Sequence, residues 1–129
     1  MENLFFVGRL ILGGYFLYNA YNHLFKTKDL TAYAVSKSVP RSRAAVIATG
    51  ILLLFGGYSL LTGVRVEAGI TALVIFLVLV SYYMHPYWKE EGPGRMGDQI
   101  NFWKNMALLG ALLMLLAIPT PWPLSLGSY

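Results

Sequence analysis

The chain has 129 residues, of which 57% belong to the AVILMFWYC class and only 12% are charged, with a formal net charge of +4. A small soluble domain has too much surface for its volume to hide that share of apolar side chain, so disorder, a fibrous repeat and an ordinary soluble enzyme are excluded and an integral membrane protein is expected. The absence of cysteine also excludes disulfides, thiolate nucleophiles and Cys-held metal clusters.

A membrane-spanning helix needs about 20 mostly apolar residues. Residues 4–25 supply the first. The start, Met1-Glu2-Asn3, has no basic region and Arg9 interrupts the apolar run, so a retained span is expected rather than a cleaved signal. On this segment a 100° step places Arg9, Asn19 and His23 within an arc of about 80°, a stripe that should face other helices. Polar groups inside a bilayer are costly and need partners. Arg9 is therefore expected in a structural role, snorkelling outward or pairing with Glu2 or Glu67. For Asn19 the residues leave interhelical glue and a functional role equally open.

After the first segment, Asp29 can cap a short helix over residues 30–38 that Pro40 would end. Residues 44–61 and 68–84 form the second and third spans, without internal charge or a polar face. Residues 102–118 form the fourth, and the prolines beyond cannot continue it. The expected fold is all-α: one polytopic membrane domain over residues 1–129, a bundle of four transmembrane helices. Small residues at Gly13-Gly14, Gly56-Gly57, Ala44 and Ala48, and Ala107 and Ala111 should mark close helix packing.

Basic residues set the orientation. Lys26, Lys28, Lys37, Arg41, Arg43, Lys89, Arg95 and Lys104 fall on one side of a four-span protein, and Arg9 and Arg65 on the other. The richer side belongs in the cytoplasm, which leaves both termini outside. Trp88, Trp103 and Trp122 lie near segment ends, where interfacial aromatic belts occur.

His23 and His85 end two segments that run the same way, so they reach the same side. Gln99, Lys104 and Asn105 open the last segment at that level. These groups can hold a quinone carbonyl or an oxyanion; they can equally form a solvated belt of helix ends. Axial haem ligation by the two histidines is disfavoured, because few small residues open room beside the third segment. No metal is expected, since two histidines without an acidic cluster lack ligands. No P-loop, dinucleotide fingerprint or Ser-His-Asp set is present, and nucleic acid is not an expected partner.

His85-Pro86-Tyr87-Trp88, Gln99 and the run Phe102-Trp103-Lys104-Asn105-Met106-Ala107-Leu108-Leu109-Gly110 resemble the DoxX family of small prokaryotic membrane proteins. Gly8-Arg9-Leu10-Ile11-Leu12-Gly13, Val39-Pro40 and Gly56-Gly57 extend the likeness over almost the whole chain. The resemblance implies a four-helix protein of the prokaryotic cytoplasmic (inner) membrane. It also implies kinship with subunits of thiosulfate:quinone oxidoreductase and of oxidative-stress complexes, with quinone as ligand and a redox protein as partner. The other reading is a non-enzymatic scaffold or a small-molecule carrier. Many relatives have an acidic residue shortly before the glycine pair of the second segment; here Leu52-Leu53-Leu54-Phe55 stands in its place.

Overall fold

The computed structural model describes residues 1–127. The described residues form five α-helices and no strand: α1 (Glu2–Phe25), α2 (Thr27–Ser36), α3 (Ser42–Thr62), α4 (Val66–Met84) and α5 (Gly94–Leu115), with a 3-10 turn at Tyr87–Lys89 between the last two. Two stretches, Ser42–Thr62 and Val66–Lys89, are long and apolar enough to cross a membrane. At 1.5 Å per residue, α1 and α5 are about 36 and 33 Å long.

Local chemistry places the breaks. The Thr27 hydroxyl donates to the His23 carbonyl at 2.7 Å, and the Lys26 N–H to the Asn22 carbonyl at 2.9 Å, closing the last turn of α1. The short helix starts at Thr27 rather than at residue 30, and Asp29 makes no cap: it lies in the first turn, where a negative charge suits the helix dipole. Gly63 ends α3 with φ 76°, a left-handed conformation suited to glycine, and its N–H returns to the Ser59 carbonyl at 2.8 Å. Pro86 keeps His85 out of the helical region and stops α4. The last helix begins directly after Pro93, two turns before the apolar run starts. It ends at Leu115 rather than at residue 118.

Adjacent glycines let α3 receive two neighbours. A Cβ on Gly57 would lie 2.9 Å from Leu17 Cγ and 3.1 Å from the Gly13 oxygen, on the side of α1. A Cβ on Gly56 would lie 2.3 Å from Leu73 Cγ and 2.9 Å from the Gly69 oxygen, on the side of α4. Successive helix positions diverge by about 100°, so one glycine pair serves two contacts. The core joins Phe16 and Ala20 of α1, Leu53 and Leu60 of α3, Ile70, Leu73, Phe76 and Leu77 of α4, and Leu112 of α5. The helices pack in the order α1, α3, α4, α5, and α2 lies across α3 and the end of α1. The other expected packing marks differ. Ala44, Ala48, Ala107 and Ala111 are exposed, and nothing lies within 4 Å of a Cβ on Gly14. Residue spacing alone does not tell which helix face a pair occupies.

Arg9 neither snorkels nor meets Glu2 or Glu67. It is 2% exposed, and its Nε and Nη2 donate to the Leu60 and Leu61 carbonyls at 3.0 Å each, while Nη1 donates to the Pro123 carbonyl. These acceptors include carbonyls that the end of α3 leaves without helical partners, at the negative end of its dipole. Phe5, Phe6 and Trp122 surround the guanidinium at 5.5–6.0 Å from their ring centres. Trp122 is thus a core residue, 2% exposed and edge-on to Phe5, rather than an interfacial anchor. Trp88 and Trp103 are exposed. The tail is fastened further by the Leu126 N–H, which donates to the Thr62 carbonyl at 2.8 Å.

Candidate functional site

A cleft of about 360 Å³ lies at the end of the molecule opposite the Arg9 seal. Asn19 and His23 of α1, Tyr33 of α2, Thr49 of α3, Tyr83 and His85 at the end of α4, and Lys104 and Asn105 of α5 contribute its polar lining. Leu30, Val39, Val46, Phe76, Leu79, Val80 and Met84 make the remaining wall largely apolar. Its volume and mixed lining are those of a small-molecule pocket.

Each histidine is held from behind. A Cβ on Gly50 would lie 2.8 Å from His23 Cβ, so that glycine lets the end of α1 settle onto α3. His23 Nδ1 is 3.0 Å from the Val46 carbonyl and 3.0 Å from the Thr49 hydroxyl. The carbonyl can only accept, so Nδ1 carries the proton. The Thr49 hydroxyl spends its own hydrogen on the Ala45 carbonyl at 2.7 Å. The imidazole stands edge-on to Phe76 at 5.8 Å. His85 Nδ1 is 3.0 Å from Asp98 Oδ1, and both side chains are buried, at 12% and 7% exposure.

Asp98 belongs to a larger network. Its other oxygen accepts from Lys37, at the end of α2, which also donates to Glu90 in the connection before α5. Burial alone pushes the Asp98 carboxyl up, but hydrogen bonds from His85 and Lys37 outweigh it and hold the group below the usual carboxylate range. Burial likewise pushes the Lys37 ammonium down, while its hydrogen bonds to Asp98 and Glu90 leave it above its ordinary value. The network ties α2, the end of α4 and the start of α5 together beneath the cleft.

Of the residues singled out in the sequence, His23, His85, Asn19, Lys104 and Asn105 line this one cleft. Gln99 does not; it is exposed and turned away. The buried positions of α5 are Asp98, Asn105 and Leu112, seven apart and therefore on one face. Gln99 is about 100° off that face. The same spacing, carried back from Asn105, points to Asp98, which the sequence reading missed because it began the last helix at residue 102. Lys104 stands at the rim, exposed, with its ammonium 3.2 Å from Asn101 Oδ1. Tyr33, Thr49, Tyr83, Glu90 and Lys37 were also not foreseen here; no spacing rule links α2 and α3 residues to the ends of α1 and α4.

The DoxX family model matches residues 4–86. The chain belongs to the DoxX family. The match carries Arg9, Asn19, His23 and His85 and stops before α5. No curated protein and no solved structure matches the chain. As a helical DoxX-family protein with two strongly apolar helices, it contacts the lipid bilayer. Ile11, Ile51, Ile75, Val78 and Leu113 offer exposed apolar surface to that solvent.

Proposed function

We propose that this DoxX-family chain is a single four-span domain of the prokaryotic inner membrane, with α1, α3, α4 and the apolar part of α5 from residue 102 onward as spans and both termini outside, and that it serves as the membrane subunit of a quinone-linked redox system. The observation carrying this reading is the cleft. It gathers polar side chains from α1, α2, α3, α4 and α5 against a largely apolar wall. That is the arrangement a lipid with a polar ring as its head requires: an apolar entry and a few convergent hydrogen-bonding groups. The chain's own residues would bind and orient the headgroup, and electron transfer would fall to a docked redox partner. The α2 segment, laid over the cleft and strapped to α5 through Lys37, is the element nearest such a partner on the cytoplasmic side.

The test is purification from native membranes with mass spectrometry of co-purifying lipids and proteins. Near-stoichiometric quinone together with a redox protein is expected. A bound partner without quinone would instead favour a scaffold, and flux of a solute into liposomes a carrier.

A further inference from the structure

The ring protons of the two histidines are already committed, and this bears on what a ligand must bring. His23 uses its Nδ1–H on the Val46 carbonyl, and His85 uses its own on the Asp98 carboxylate. In the neutral ring each Nε2 is then a bare acceptor, and neither has a partner among the described residues. Asn19 spends one amide hydrogen on the Tyr15 carbonyl at 2.9 Å, which leaves its oxygen and its second amide hydrogen free. The Thr49 hydrogen goes to the Ala45 carbonyl. The two carboxamides, Asn19 and Asn105, can therefore donate or accept, whereas the two Nε2 atoms can only accept. The other donors, Lys104 and the phenols of Tyr15, Tyr33 and Tyr83, belong to side chains that are more than a third exposed, at the rim.

We infer that the two histidines set the cleft to accept hydrogen bonds, and that its ligand is an aromatic hydroxyl compound, a hydroquinone or phenol, rather than the carbonyl form of a quinone. The inference rests on the cleft being the headgroup site and adds which redox form it holds. A quinone offers carbonyl acceptors that would meet the lone pairs of the His23 and His85 Nε2 atoms, leaving both ring nitrogens unmatched. A hydroquinone offers hydroxyl donors to those same atoms. Asp98 is a positioning residue here: it touches no ligand but fixes the His85 tautomer.

The same geometry gives a variant that reverses the preference. In Asp98→Asn one oxygen remains, and the Lys37 ammonium, which lies on the Oδ2 side, claims it. The amide NH₂ then faces His85 Nδ1, which becomes an acceptor, and the ring proton moves to Nε2. His85 thereby changes from acceptor to donor toward the cleft.

The experiment uses the full chain in lipid nanodiscs, titrated with a decyl-substituted hydroquinone, the matching quinone and the hydroquinone without its tail. Hydroquinone should bind about tenfold or more tighter than quinone, and Asp98→Asn should shrink or invert that ratio. Loss of affinity without the decyl tail would assign the ligand to membrane lipids, and its retention to a soluble phenol. The chain has only two histidines, so ¹⁵N-histidine spectra of the wild type resolve both tautomers whether or not the variant folds, and both should be Nδ1–H at neutral ring charge. Quinone binding as tight as hydroquinone, or an Nε2–H tautomer in either ring, overturns this inference while leaving the headgroup site standing. Absence of saturable binding by any of the three compounds overturns both.

Discussion

Lys37 shows how much one residue organises. It is 16% exposed and serves two carboxylates from separate parts of the chain. Removing one partner of a largely buried ion pair leaves the other charge uncompensated, so Lys37→Met should lose about 1–3 kcal/mol at pH 7. The pH dependence follows from the two shifts. The folded pKa of Asp98 is depressed, so its contribution is present above the ordinary carboxylate value of about 3.9 and is lost as pH falls through the lower folded value. The folded pKa of Lys37 is raised, so its share holds below about pH 10.4 and is lost as pH climbs through the higher folded value. Thermal melting of wild type and Lys37→Met in detergent should show a constant gap across that window, narrowing below about pH 4. A gap unchanged at pH 3 would contradict the ion-pair account. In the sequence Lys37 reads as one basic residue among several of a cytoplasmic loop, and nothing there separates a topology signal from a buried tie. Arg9 is the converse: its single charge in an apolar run announced a structural role, but its partners are backbone carbonyls at the end of α3, which no side-chain pattern encodes.

At the scale of elements, α3 is the axis, and its glycines are what let α1 and α4 approach. Gly57→Ala should destabilise by about 1–3 kcal/mol, because the added methyl would meet Leu17 and the Gly13 carbonyl. Gly14→Ala is the matched control: it too lies within a helix, but open space surrounds its Cβ position, so it should be neutral or gain up to about 1 kcal/mol from helix propensity. Equal melting shifts in the two variants would remove close approach from the account. The helices themselves were legible as apolar runs, and the two adjacent glycine positions mattered as expected. The start of α5 was not legible, because hydropathy marks where apolar side chains begin whereas the helix also takes in Gly94–Asn101, whose Asp98 is held by charges from elsewhere. Trp122 was misplaced for a related reason: a tryptophan beyond a span can anchor in the interface or fold back, and only the Arg9 seal shows that it folds back.

For the molecule as a whole, the two ends have opposite characters. One end is closed by Arg9, Trp122 and the folded-back tail; the other holds a cleft lined by all five helices. Sequence periodicity brought His23, His85, Asn19, Lys104 and Asn105 to one level, yet it could not show the cavity between them, since a void depends on how helices splay rather than on which residues they carry. The central claim is that this void holds a quinone-class headgroup, and photoaffinity labelling tests it most directly. An azido-substituted quinone, irradiated with the protein in nanodiscs and mapped by mass spectrometry, should label around Tyr15–His23, Tyr33 and Tyr83–His85, and excess hydroquinone should compete it away. Labelling confined to the Arg9 end, or spread without competition over the outer helix faces, would contradict the account.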